Sequence, residues 1–299
     1  MTIKTKINEV VDQYRILSLI GSGNFGRCYT VEKEGEPDNV MVMKIQKVDG
    51  LNEISYKTEL EVLRSLPKSH KFSTMISEFA IDTDHKYIVM TYCGISLQTM
   101  LMQKENYRFT LENVLRIGIQ LFDLVEEFHS LGWLHRDLHW GNVTINTDPD
   151  GKLKMALIDF GFCIKNTGFT KAKPKPHCRH SSLSSCVKIA QTCTDPTLYP
   201  DIEDYISVVS LMMRCSNVEP FSRRELDMER LQLPFYISPR RRLETQHVWF
   251  YDCYKKIETQ KGSPYNNDYV KKFVMNVLPD FDPYTNITFT EQQEKIIID

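Results

Sequence analysis

No apolar run in this chain approaches the roughly 18–20 residues that a helix needs to cross a bilayer. The first residues, Met1-Thr2-Ile3-Lys4-Thr5-Lys6, carry no apolar signal core. An intracellular location, cytoplasmic or nuclear, with no membrane partner is therefore expected. An excess of charge of one sign is missing too. Lys and Arg number 37 against 39 Asp and Glu, a formal net charge of −2, so no global field points to nucleic acid. The 8 cysteines include no Cys-x-x-Cys pair, which argues for reduced thiols over a disulfide framework. His177, Cys178, His180, Cys186 and Cys193 lie near one another, but their spacing fits no standard zinc module. No G-x-x-x-x-G-K-[ST] string occurs, which excludes a Walker-type phosphate loop. Nor is there an internal repeat.

What is present is the composition of a soluble globular protein: 299 residues, 41% hydrophobic and 25% charged. That length suits one domain of two lobes and leaves little for regulatory modules. From residue 14 to about 90, short strand-like runs alternate with one helical pattern. From about 95 onward the pattern is mostly helical, clearest over 114–130, where Leu115, Ile119, Phe122, Leu124, Val125 and Phe128 recur at helical spacing. The apolar run 206–213 reads as a buried helix. Alternating Lys and Pro over 171–176 mark a loop, since proline resists both helix and sheet. The polar stretch from about Pro279 is expected to run over the surface. The expected fold class is α+β, with a small, mostly antiparallel β lobe (14–92) carrying one helix and a larger, mainly helical lobe (93–299). Residues 1–13 form an N-terminal extension, and a monomer is expected.

Several groups are spaced as phosphoryl transfer needs them. In His135-Arg136-Asp137-Leu138-His139-Trp140-Gly141-Asn142, the Asp137 carboxylate can orient an attacking hydroxyl, and the Asn142 amide oxygen can hold a metal ion. Leu157-Ile158-Asp159-Phe160-Gly161 follows, with Asp159 suited to bridging magnesium to phosphates. Upstream, Gly21-Ser22-Gly23-Asn24-Phe25-Gly26 lies between strand-like runs. That setting disfavours a dinucleotide fingerprint and favours a flap whose backbone N–H groups cover phosphates. Val40-Met41-Val42-Met43-Lys44 is an apolar strand with a cation at its end. Glu59, in an amphipathic segment with Leu60, Leu63 and Leu66, is the candidate carboxylate to fix that ammonium; Glu53 and Glu61 are its rivals. Asp and Asn also favour caps and turns, but this order of groups points to a nucleotide site.

These motifs resemble those of the eukaryotic protein kinases. Within them the chain looks most like the casein kinase I group, particularly its tau-tubulin kinase branch. The narrower likeness rests on the stretch from Glu59 to Leu66, on Met90-Thr91-Tyr92-Cys93-Gly94-Ile95-Ser96-Leu97 as a hinge, and on Glu203-Asp204-Tyr205-Ile206-Ser207 followed by Glu219-Pro220-Phe221. It covers roughly residues 14–280. The resemblance implies a bilobal kinase fold, ATP and Mg2+ as cofactors, and transfer of the ATP γ-phosphate to Ser or Thr of acidic or pre-phosphorylated proteins. It implies catalytic roles for Lys44, Glu59, Asp137 and His139 and metal ligation by Asn142 and Asp159. Nucleotide contacts would come from Ile20, Gly21, Ser22, Gly23, Asn24, Phe25, Gly26, Cys28, Val42, Lys44, Met90 and Tyr92. Asp204 would anchor the catalytic loop backbone, and Arg136 would help shape the activation segment.

Departures from the pattern keep other readings open. His139 stands where the casein kinase I group carries Lys, either touching phosphate or packing. The same HRDLHWGN string is typical of haspin kinases, and similar loops occur in small-molecule kinases of the aminoglycoside phosphotransferase type. Val42 replaces the usual Ala, and Cys28 the usual Val or Ile. His177-Cys178 replaces Gly-Thr before Arg179. A nucleotide-binding pseudokinase that scaffolds a partner is the alternative, and a small-molecule kinase a third. Residues 162–194 contain no Asp or Glu, while Lys165, Lys171, Lys173, Lys175, Arg179 and Lys188 are basic. That run is either a solvated loop or a dock for anionic substrates. Arg240-Arg241-Arg242 reads as an exposed face.

Overall fold

Strand alternation organises the N-terminal part of the chain. Successive side chains on a strand point to opposite faces, and in β4 (Glu36–Lys47) this sends Met41, Met43 and Ile45 into an apolar core. Lys44 and Gln46 fall on the other face, both nearly inaccessible. The structure is a computed structural model and describes residues 6–23, 26–47, 51–80, 82–148, 150–166, 201–218, 243–260, 262–292 and 295–299. Around β4 the chain forms a six-stranded antiparallel sheet in the order β1-β2-β3-β4-β6-β5. Its other members are β1 (Val10–Val11), β2 (Tyr14–Gly23), β3 (Gly26–Lys33), β5 (Met75–Ala80) and β6 (His85–Thr91). Tyr14, Ile16, Tyr29, Val31, Tyr87 and Val89 complete the core with the β4 residues. Phe79 caps it, stacked on Tyr87 at 4.9 Å and on Tyr14 at 6.1 Å between ring centres. Each fully buried side chain of this size contributes about 1.5–3 kcal/mol. The helix α1 (Leu51–Ser65) buries Tyr56, Leu60 and Leu63, with Leu66 buried just after it, and packs against β4 and β5.

Two compact units result. One holds the residues up to Gly94 together with Ile158–Gly161; the other holds Ile95–Leu157 and the described residues from Phe162 onward. The second unit is built on α3 (Leu111–Ser130), which follows β7 (Ile95–Ser96) and α2 (Leu97–Met102). The Thr110 hydroxyl accepts from Asn113 N and caps the helix start, as a Thr at that position does. Apolar residues then fill most of the helix, and Val114, Leu115, Ile117, Leu121, Phe122 and Phe128 are fully buried. The central helix α4 (Ile202–Cys215) packs on α3, α5 (Val248–Glu258) on α4, and α6 (Asn267–Met275) on α3 and α5. β8 (Trp133–Leu134) pairs with β11 (Ile164–Lys165), and β9 (Val143–Thr147) lies between β10 (Leu153–Leu157) and β7. This α+β architecture, a curled antiparallel sheet and a helical portion, is that of the bilobal kinase fold.

The C-terminal stretch runs largely over the surface, as expected, but its end is tied down. β12 (Phe289–Gln292) and β13 (Lys295–Ile298) form a hairpin, with Ile287 and Ile298 buried. Asn113, on the first turn of α3 and fully buried, holds it. Its Nδ2 donates to Thr288 O (3.0 Å) and Asp299 O (3.1 Å), and its Oδ1 accepts from Thr288 N (3.0 Å). Thr110 N donates to Asp299 O as well. A largely exposed polar segment is thus tied to the unit at its end, because one buried amide satisfies its backbone and two isoleucines are buried. Among the described residues, no helix is long and apolar enough to cross a membrane.

Candidate active site

In the first unit the site is assembled by strand register. Lys44 on β4 lies opposite Cys28 on β3 and Ile88 on β6, and Val42 lies opposite Met90. The Lys44 ammonium sits 2.9 and 2.7 Å from the two oxygens of Glu59 on α1, and 2.9 Å from Asp159 Oδ1. Glu59 is therefore the carboxylate brought to Lys44. Of its rivals, Glu53 pairs with Lys57 and Glu61 is exposed. Burial alone would lower the Lys44 pKa, yet Asp159 and Glu59 hold it well above the usual lysine range, so the ammonium stays charged. Burial pushes the Glu59 carboxyl up, against the pull of Lys44 and of hydrogen bonds from Lys44 and Gln46. Desolvation pushes the Cys28 thiol up to about 12 despite Lys44, so it is a protonated, apolar wall and no nucleophile.

The glycine-rich segment forms the end of the β2–β3 hairpin, with Gly21, Ser22 and Gly23 facing Cys28, Arg27 and Gly26. Gly26 adopts φ +146°, and a Cβ there would lie 2.0 Å from Ile45 O, so only glycine lets the hairpin return this close to the lysine strand. Ile20 is half exposed, Tyr92 partly buried, and Met90 buried. Asn24 and Phe25 lie outside the described residues, as do 167–200 with most of the basic run and the histidine–cysteine group, Glu219–Phe221 and Arg240–Arg242.

In the second unit the loop between β8 and β9 carries Asp137, His139 and Asn142. Its anchor is Asp204 on α4, fully buried, whose Oδ2 accepts from His135 N (2.7 Å) and whose Oδ1 accepts from Arg136 N (2.9 Å). His129 Nε2, from the end of α3, lies 2.8 Å from Asp204 Oδ2. Burial would raise the Asp204 pKa, but the His129 hydrogen bond and charge, His135 and the Arg136 amide bring it below the usual aspartate value. The anchor holds Arg136 at φ +67°, a conformation that costs a non-glycine residue about 1–3 kcal/mol and clusters at functional loops. Asp159 is held likewise at φ +63°.

Asn142 Nδ2 donates to Asp137 O (2.9 Å) and to Asp137 Oδ2 (3.0 Å). Its nitrogen is thereby committed to Asp137, and its oxygen is the atom left to ligate a cation. His139 Nδ1 accepts from Gly141 N at 3.0 Å, which puts the proton of a neutral ring on Nε2, 3.7 Å from Asp137 Oδ2. A Cβ on Gly141 would come within 2.8 Å of that ring. His139 is thus tied to its own loop and turned toward the Asp137 carboxylate.

The amide oxygen of Asn142 in the second unit and the carboxylate of Asp159 in the first are each hard oxygen donors of the kind a divalent cation takes. Lys44, Glu59 and Asp159 together carry a net charge of about −1, which a divalent cation on Asp159 offsets. Two residues escaped the reading of the sequence. Gln46, on the Lys44 face of β4, donates to Glu59 Oε2 at 2.7 Å, and only strand alternation from Lys44 could have flagged it. His129 reads as an ordinary helix-end histidine, and its role depends on a partner far along the chain.

Residues 14–194 match the family model for the protein kinase domain. A Dictyostelium discoideum protein described as a probable serine/threonine-protein kinase is 28% identical over 152 residues, 50% of this chain and 30% of the relative. Nucleosomal histone kinase 1 of Drosophila melanogaster is 26% identical over 178 residues, 54% of this chain and 30% of the relative. The CTD kinase subunit alpha of Schizosaccharomyces pombe is 24% identical over 256 residues, 83% and 41% of the two chains. The chain spans less than half the length of each of these relatives. With the lysine–glutamate pair, the aspartate of its second unit and a family match over more than half its length, the chain belongs to the protein kinase family.

Proposed function

We propose that this protein is a magnesium- and ATP-dependent protein serine/threonine kinase of the casein kinase I type, near the tau-tubulin branch, acting on acidic or pre-phosphorylated proteins. One observation carries the kinase reading: a buried ammonium held by two carboxylates, Glu59 and Asp159. Buried ion clusters are weak devices for stability, because desolvation offsets most of their attraction. Their use here speaks for a chemical task. Magnesium-ATP, when bound, supplies the phosphoryl group and the metal charge that offsets its oxygens. Lys44 binds phosphate oxygens while Glu59 keeps its ammonium in place. Asn142 and Asp159 offer oxygens to the metal. Asp137 accepts a hydrogen bond from the substrate hydroxyl and orients its oxygen for attack.

The substrate class rests on the sequence run 162–194, with six cations and no acid, and on the likeness to the casein kinase I group. Of those cations, Lys165 is described, its ammonium 3.6 Å from the centre of the Trp133 ring. Attraction from such a run is screened over about 8 Å at physiological salt. Serine peptides with Asp, Glu or phosphoserine upstream of the target are therefore expected to be phosphorylated several-fold faster than basic ones, with the difference shrinking as salt rises. A peptide array that favours Arg or Lys around the phosphorylated serine would refute this substrate class and leave the phosphoryl-transfer reading standing.

A further inference from the structure

Gln46 is fully buried, two residues beyond Lys44 and so on the same face of β4. Its Nε2 donates to Glu59 Oε2 at 2.7 Å, the same oxygen that lies 2.7 Å from Lys44 Nζ. The other Glu59 oxygen is 2.9 Å from Lys44. Three hydrogen bonds from two side chains therefore fix one carboxylate, and of the two donors Gln46 is the one without charge. The orientation of the amide is settled by chemistry, since a reversed amide would set its oxygen against a carboxylate oxygen. That orientation leaves Gln46 Oε1 buried with no hydrogen-bond partner among the described residues.

We propose that Gln46 is a positioning residue for phosphoryl transfer: its amide N–H locks the rotation of the Glu59 carboxylate, so that both oxygens face Lys44 and the ammonium is held in one place. The inference rests on the kinase reading above. Without the amide, Glu59 is free to turn about its last torsion, a broad rotor in the absence of a partner. Lys44 still supplies its charge to the bound nucleotide but is no longer aligned with the charge that develops during transfer. Loss of an interaction made chiefly in the transition state lowers kcat and kcat/KM together and leaves KM nearly unchanged.

The test compares wild type, Gln46→Met, Glu59→Gln and the double variant in transfer from magnesium-ATP to a serine peptide, with thermal melting of each. Met has nearly the volume of Gln and no donor. The expected kcat for Gln46→Met is about 10- to 100-fold below wild type, the worth of a hydrogen bond to a charged group, with the KM for ATP within about threefold. Its melting temperature is expected to stay within a few degrees of wild type, so that the loss of kcat is not a loss of fold, whereas a purely structural role would lower the melting temperature and leave kcat. In the Glu59→Gln background the same change should cost less than about twofold, because the side chain of that variant has a single oxygen and no charge for the strand amide to turn toward Lys44. Gln46→Leu serves as a second variant without a donor if Met proves unstable. An active wild type with Gln46→Met equally fast, or with the full loss persisting beside Glu59→Gln, overturns this inference alone. A wild type with no transfer at all overturns the kinase reading, and the inference with it.

Discussion

Replacing Asp137 with Ala is expected to lower kcat by about 100- to 10,000-fold, the usual range for a positioned group that handles a proton in the transition state. Asp137 is buried on its loop, with Oδ2 accepting from Asn142 Nδ2 at 3.0 Å and lying 3.7 Å from His139 Nε2. Its carboxylate is thus oriented by neighbours on its own loop before any substrate arrives. The Lys44 charge is matched by Glu59 and Asp159. The loss should accordingly fall on kcat, while the KM for ATP stays within a few-fold of wild type. Steady-state kinetics with a serine peptide separates the two. A variant that keeps kcat within a few-fold would remove Asp137 from the chemistry and return it to the role of a turn residue.

The second large effect is on folding. Asp204→Ala removes the acceptor for two buried amides, His135 N and Arg136 N, and the partner of His129. Breaking a buried, hydrogen-bonded carboxylate in this way costs about 3–5 kcal/mol, because the groups left behind cannot reach water. That is a large share of the roughly 5–15 kcal/mol that a domain has in total. Asp204→Asn, whose one oxygen can still accept, should cost clearly less. Urea unfolding of the three proteins measures the difference. A loss below about 1 kcal/mol for Asp204→Ala would show that the loop is held by something else.

The sequence carried the two lysine–carboxylate partners, the Asp137 loop and Asp204 because each belongs to a short string in which order and spacing repeat a chemical task. The α3 pattern was legible for a simpler reason: apolar residues at helical spacing announce a buried face, and the helix begins only three residues before the stretch they mark. Glu59 could be preferred to Glu53 and Glu61 from the positions of Leu60, Leu63 and Leu66, all of which the fold buries. What escaped depends on distant partners. Asn113 looks like any polar residue in a first helical turn, and its partners Thr288 and Asp299 lie 175 and 186 residues away. No local periodicity registers that pairing, so the tie between the C-terminal hairpin and α3 was not legible. Gln46 was hidden for a related reason. A single amide at the end of an apolar strand carries no motif, and its meaning appears only when α1 brings Glu59 against it.

Central to this account is that Lys44, Asp137, Asn142 and Asp159 serve one reaction, transfer of the ATP γ-phosphate to a protein serine or threonine. Its most direct test is transfer of labelled γ-phosphate from ATP to casein, with and without Mg2+, by wild type and by Asp159→Ala. The account predicts label on serine or threonine for wild type with Mg2+, and label near background for wild type without the metal and for Asp159→Ala with it. Wild-type protein that leaves casein unlabelled in millimolar magnesium-ATP, or an Asp159→Ala protein that labels it as fast as wild type, would contradict it.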